Sequence, residues 1–183
     1  IRSPFEVLQQ SQWWHRVFQK IQFGGRPVVS ALHGAVVGGG LELATSTHVR
    51  VADKSAFFQL PEGQRGIFVG GGASVRVGKI IGPDRMTEMM LTGRRYSAED
   101  GYRLGLSHYL VEEGKALEEA MKLAAQIATN APLSNWASIT AVANIGDMSM
   151  ANGLYTESLA AAIAQSSDEA NRRMQDFLNR KKG

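Results

Sequence analysis

The sequence predicts an α/β protein whose parallel-stranded core extends to about residue 113 and is followed by an all-helical region. Three observations predict it. Short β-branched runs bounded by glycine or proline alternate with segments of helical periodicity in the first part. Glycine-rich turns lead from strand into helix at two places, residues 34–40 and 66–72. After Gly114 only helical patterns remain, separated by Asn-Ala-Pro, Gly-Asp and Ser-Ser breaks.

Each element has its own signal. Phe5, Leu8, Trp13, Val17, Phe18 and Ile21 approximate helical spacing behind Pro4, and Gly24-Gly25 end that helix. Pro27 to Leu32 reads as a buried strand, Gly34 and Gly38-Gly39-Gly40 as a turn, and Leu41 to Ala44 as the opening of a helix. His48 to Ala52 is a second strand, with Ala56-Phe57-Phe58 as its short partner. The second glycine loop leads into a helix through Val75, Val77, Ile80 and Ile81, which Gly82-Pro83 breaks. Asp84 to Leu91 is another helix, and Ser97-Ala98-Glu99-Asp100 starts a further one with the spacing of a capping box. Gly105 ends it, and Leu106 to Val111 is a strand. Helices are expected over 115–128, 133–145, 150–165 and 168–181. The expected division is a core over residues 1–113 and a helical region over 114–183, which could cap the core or pack against another subunit.

Composition narrows the function. With 183 residues, 44% hydrophobic and 20% charged, the chain suits one globular domain with a sizeable core. It has no cysteine, so disulfides, zinc–thiolate sites and a cysteine nucleophile are excluded. No apolar run approaches the roughly 20 residues that span a bilayer, and no membrane insertion is expected. Net charge is +3, and the one basic cluster is Arg180-Lys181-Lys182. That cluster reads either as a solvated helix end suited to the dipole or as a contact for an anionic ligand. No basic stripe is interleaved with aromatics, so nucleic acid is not an expected partner. Ile1 is not an initiator methionine and no strand precedes the first helix, so an N-terminal portion of the natural protein is expected to be missing.

The chemistry centres on the two glycine loops. First-turn N–H groups of a helix lack intrahelical partners, and glycines let a ligand approach them, so Gly38-Gly39-Gly40 suits a phosphate or a developing oxyanion. A plain tight turn would explain the same residues. Walker and dinucleotide spacings are both absent. Glu42 sits just inside the helix start, where the dipole favours a carboxylate, and Glu62 follows Pro61 ahead of the second loop. Each alone has an ordinary structural explanation, but together they place two carboxylates beside glycine loops at strand ends, where α/β sheets form their ligand crevice. The four histidines lack metal-ligand spacing, there is no G-x-S-x-G elbow, and Trp13, Trp14 and the methionines read as core or interface residues.

Residues Arg26 to Ala44 and Ala52 to Glu62 resemble the central signature of the enoyl-CoA hydratase/isomerase (crotonase) superfamily. Gly66, the Gly70-Gly71-Gly72 loop, Arg76, Leu91 to Arg94, Ala98 to Gly101 and Gly105-Leu106 continue it over most of the chain. The resemblance implies a spiral of β-β-α units with C-terminal helices that mediate a homotrimer or a hexamer (a dimer of trimers). It implies an acyl-CoA thioester substrate, with coenzyme A as part of that substrate and no separate cofactor or metal. It also implies that a preceding segment carries a second oxyanion donor.

Position by position, the Gly39 N–H matches the oxyanion donor that polarises the thioester carbonyl. Glu42 and Glu62 match the pair that holds and activates water, and Gly70 the glycine whose backbone places it. Phe177, Arg180 and Lys181 lie near where relatives touch the CoA of a neighbouring subunit. Both glutamates together imply hydration of an enoyl-CoA. Isomerisation, thioester hydrolysis and a non-catalytic CoA-binding member are the alternatives. Val69 stands where many hydratases have proline, which leaves the acyl preference open. The expected location is cytoplasmic if the source is bacterial and open otherwise.

Overall fold

The computed structural model describes residues 2–180, the side chain of residue 180 excepted. The first helix, α1 (Pro4–Phe23), starts at a full capping box: Glu6 N–H donates to Ser3 Oγ and the Ser3 N–H donates to Glu6 Oε2 at 2.6 Å. Pro4 at its first position has no N–H to leave unsatisfied.

Among the described residues, six short strands form two separate sheets. Strands β1 (Val29–Leu32), β3 (Val49–Asp53) and β6 (Tyr109–Val111) form a parallel sheet in the order β1-β3-β6, with Val29 opposite Val49 and Val51 opposite Tyr109. Strands β2 (Ala35–Val37), β4 (Phe57–Gln59) and β5 (Tyr96–Ser97) form the second, parallel between β2 and β4 and antiparallel between β4 and β5. The expectation that residues 56–58 partner the 48–52 strand is therefore corrected. Asp53 Oδ1 accepts the N–H and hydroxyl of Ser55, and this local turn sends the chain into the other sheet. Likewise, the turn expected over 34–40 contains β2, a three-residue strand bounded by the positive-φ glycines Gly34 and Gly38. Residues 106–108, expected to open a strand over 106–111, lie outside β6: the N–H groups of Leu106 and Ser107 turn back to the Gly101 carbonyl.

Between and after the strands run α2 (Gly39–Ala44), α3 (Ala73–Ile81), α4 (Pro83–Thr92), α5 (Ala98–Arg103) and α6 (Ala116–Ala128). The Ser97 hydroxyl caps α5 as its spacing predicts. One core joins the second sheet to α2–α5 through Leu41, Phe58, Leu60, Val77, Met89 and Leu106. Phe58 lies so close to Gly101 that any Cβ there would collide with its ring. A second cluster seats Ala116, Ala120 and Leu123 of α6, spaced four and three apart, on Val29, Val49 and Val51 of the first sheet.

Two compact units result: residues through Gly24 with Val28–Ala124, and Gly25–Pro27 with the residues from Ala125 on. The second is helical, with α7 (Pro132–Ile145), α8 (Met150–Gln165) and α9 (Asp168–Arg180) close to the sequence-expected bounds. Ile145 packs against Gly153, and Arg173 of α9 donates to the Thr129 carbonyl at 2.8 Å.

Candidate active site

The site is built on the end of β2. Gly38 N–H donates to the Gln59 carbonyl at 3.0 Å, which pins the turn to the end of β4, and Gly38 itself has φ +52°. The chain then enters α2, whose first bond runs from Glu42 N–H to the Gly38 carbonyl. Among the described residues nothing accepts the N–H groups of Gly39 and Gly40, and a Cβ at either would meet no atom within 4 Å. Two donors without a partner among the described residues therefore stand on a turn with room beside its backbone, the arrangement an oxyanion site needs. With six residues α2 has a small dipole, so the N–H groups themselves supply the field.

The two glutamates close on this turn. Glu42 is 7% exposed, and its Oε1 accepts the N–H groups of Gly71 at 2.7 Å and Ala73 at 3.1 Å. Gly71 is glycine of necessity: a Cβ would lie 2.5 Å from Glu42 Oε2 and 2.9 Å from the Phe18 ring. Glu62 is 8% exposed, and its Oε1 sits 2.8 Å from where a Cβ on Gly38 would be. Among the described residues its Oε2 has no hydrogen-bond partner. Burial first, then the negative charge of Glu42, pushes the Glu62 carboxyl above the ordinary carboxylate range, against the opposing pull of its own backbone and of Arg65. One carboxylate is thus held in place by two backbone donors, and the other is driven toward its protonated form.

The second glycine loop is itself braced. Arg76 donates from Nη1 to the Gly71 carbonyl at 3.2 Å and from Nε to Gln22 Oε1 at 2.8 Å. Burial lowers the Arg76 pKa, and Glu42 pulls it back up. The Gly70 carbonyl accepts the Ser11 hydroxyl at 2.6 Å.

Of the sequence-predicted site residues, Gly39, Glu42, Glu62 and Gly70 therefore gather around one turn. Phe177 is on α9 in the second unit and half exposed, while the Arg180 side chain and Lys181 lie outside the described residues. Sequence reasoning missed Gly71 and Ala73 as the donors that hold Glu42; a run of three glycines does not say which N–H points inward. Trp13 and Trp14, read as core or interface residues, are exposed along α1. No group of three metal-ligating side chains occurs among the described residues, and no described helix is long and apolar enough to cross a membrane.

Fold and site together define an α/β protein with a backbone-donor turn flanked by two buried, electrostatically coupled carboxylates. The sequence profile of the enoyl-CoA hydratase/isomerase family matches residues 8–183, and the chain belongs to that family. A Rhodopseudomonas palustris protein provisionally named an enoyl-CoA hydratase superposes with a TM-score of 0.95 at 52% identity, over 100% of this chain and 70% of its own. The carnitinyl-CoA dehydratase of Salmonella typhi is 38% identical over 109 residues, which is 60% of this chain and 42% of that protein. The mitochondrial Delta(3,5)-Delta(2,4)-dienoyl-CoA isomerase of Dictyostelium discoideum is 29% identical over 98% of this chain and 62% of its own length. The chain thus spans less than two thirds of these two curated relatives, and their names cover both lyase and isomerase chemistry.

Proposed function

We propose that this chain forms the catalytic part of an enzyme that adds water across the 2,3 double bond of an enoyl-CoA thioester. The observation that carries this reading is the buried Oε2 of Glu62, without a hydrogen-bond partner among the described residues, beside the donor-held carboxylate of Glu42. A pair split in this way suits one base and one acid acting on a single water. The Glu42 carboxylate takes a proton from water as its oxygen bonds to C3, and the double-bond electrons move onto the thioester oxygen. The Gly39 N–H stabilises that oxyanion, for which one such donor contributes about 10²–10³ in rate. The Glu62 carboxyl then delivers its proton to C2, and proton exchange between the glutamates through solvent restores the starting state. Coenzyme A is part of the substrate on this reading, and no further cofactor takes part.

The helical unit is assigned to subunit assembly, as a trimer or a dimer of trimers. Its support is apolar surface left open on the chain, including Val142, Met150, Leu154 and Tyr155. Phe177, with Arg180 and Lys181 beyond it, is assigned to contact with the CoA moiety. A double-bond isomerase is the second reading, favoured by the Dictyostelium relative that aligns over 98% of the chain.

The test follows a short trans-2-enoyl-CoA in the whole protein by loss of its conjugated absorbance, with products separated by chromatography. Hydration yields the 3-hydroxyacyl-CoA, and Glu42→Gln slows it by about 10²–10⁴-fold. A shifted double bond, or release of free CoA, would sink the hydratase reading.

A further inference from the structure

We infer that Ser11 is a positioning residue for Glu42, acting through the single peptide unit that joins Gly70 to Gly71. This inference rests on the proposed role of Glu42 as the base. The carbonyl of that peptide belongs to Gly70 and accepts the Ser11 hydroxyl at 2.6 Å. Its N–H belongs to Gly71 and donates to Glu42 Oε1 at 2.7 Å. One rigid plane is therefore held at both ends, by a side chain of α1 on one side and by the base on the other. The hydroxyl sets the plane's rotation and withdraws electron density from the carbonyl, which makes the opposite N–H a stronger donor to the carboxylate.

The rest of α1 fits this role. Ser11, Phe18 and Gln22 recur at spacings of seven and four, which places them on one helix face. Phe18 packs against Gly71, and Gln22 holds Arg76, whose guanidinium takes the Gly71 carbonyl. The carbonyls of Gly70 and Gly71 are thus both occupied, by Ser11 and Arg76 respectively, and the loop has little freedom to turn its N–H away from Glu42. His15 Nε2 lies 3.5 Å from Ser11 Oγ, too far to compete with the short bond to Gly70. A loop tightened only for stability would not need its hydroxyl clamp on the peptide whose N–H makes the shorter of the two bonds to Glu42, 2.7 Å against 3.1 Å from Ala73.

The experiment compares Ser11→Thr with Ser11→Val in the whole protein. The two side chains have one shape and differ in the hydroxyl, so a folding defect common to both cancels. Ser11→Val is expected to lower kcat for enoyl-CoA hydration about tenfold with KM within about twofold, and Ser11→Thr to restore kcat to within about threefold. In a Glu42→Gln background the two Ser11 variants should not differ. Equal kcat values for Thr and Val, with Glu42→Gln inactive, overturn the inference and leave the role of Glu42 standing. A difference that persists in Glu42→Gln overturns it as well, because the hydroxyl then acts on something else. If Glu42→Gln keeps wild-type turnover, the reading of the base fails, and the inference falls with it for that separate reason.

Discussion

Replacing Gly71 by alanine tests the site's geometry with a single methyl group. The backbone at Gly71 is outside the positive-φ region, so alanine fits the chain conformation. The added Cβ would stand 2.5 Å from Glu42 Oε2, about 0.9 Å short of ordinary contact, and 2.9 Å from Phe18 Cε2. Phe18 is buried at 3% exposure and cannot retreat, so the carboxylate must move by most of that shortfall. A displacement near 1 Å in a reacting group costs about 10²-fold in rate. Overpacking of this size costs about 1–3 kcal/mol of stability, a fall of a few degrees in Tm for a domain of this length. The assay is steady-state hydration of a short trans-2-enoyl-CoA, with far-UV circular dichroism and a thermal melt on the same samples. The expected result is a folded protein with kcat down about 100-fold and KM little changed. A folded variant whose kcat stays within about threefold of wild type would refute the claim that this glycine exists to admit Glu42.

Other expectations follow from the same contacts. Because burial and Glu42 raise the Glu62 pKa, the folded protein binds that proton more tightly than the unfolded chain. Its contribution is present below the ordinary carboxylate range and is lost as pH rises through the folded value. Glu62→Gln should therefore gain Tm relative to wild type as pH goes from about 5 to 8, while hydration falls about 10²–10⁴-fold; a Tm difference independent of pH contradicts the assignment. Arg50 is buried without a carboxylate partner among the described residues, its pKa lowered to about 10 by burial. Its guanidinium donates to the carbonyls of Leu106, Thr47 and Gly105 at 2.6, 3.1 and 3.1 Å. A lysine cannot cover that fork, so Arg50→Lys should lose about 2–4 kcal/mol by denaturant titration, with little change in KM of the folded enzyme.

Much of this was legible in the chain itself. Helix bounds were readable where a cap or breaker marks them, as at Pro4, Gly82-Pro83 and Ser97. Strands β2 and β5, with three and two residues, were not, because nothing that short carries a period. The division into two sheets was also hidden, since register and partner choice are properties of the assembled chain.

The site divides in the same way. Sequence by itself determined the glycine turn, the presence of Glu42 and Glu62 beside it, and the family, because residue types and their spacing along a chain carry that information. Only the tertiary structure decided that Gly71 and Ala73 hold Glu42 and that Glu62 is buried with an oxygen that has no hydrogen-bond partner among the described residues. It alone brings Ser11, 59 residues away, onto the Gly70 carbonyl. The physical reason is that protonation and aim depend on burial, donor direction and neighbouring charge, which exist only once distant segments meet.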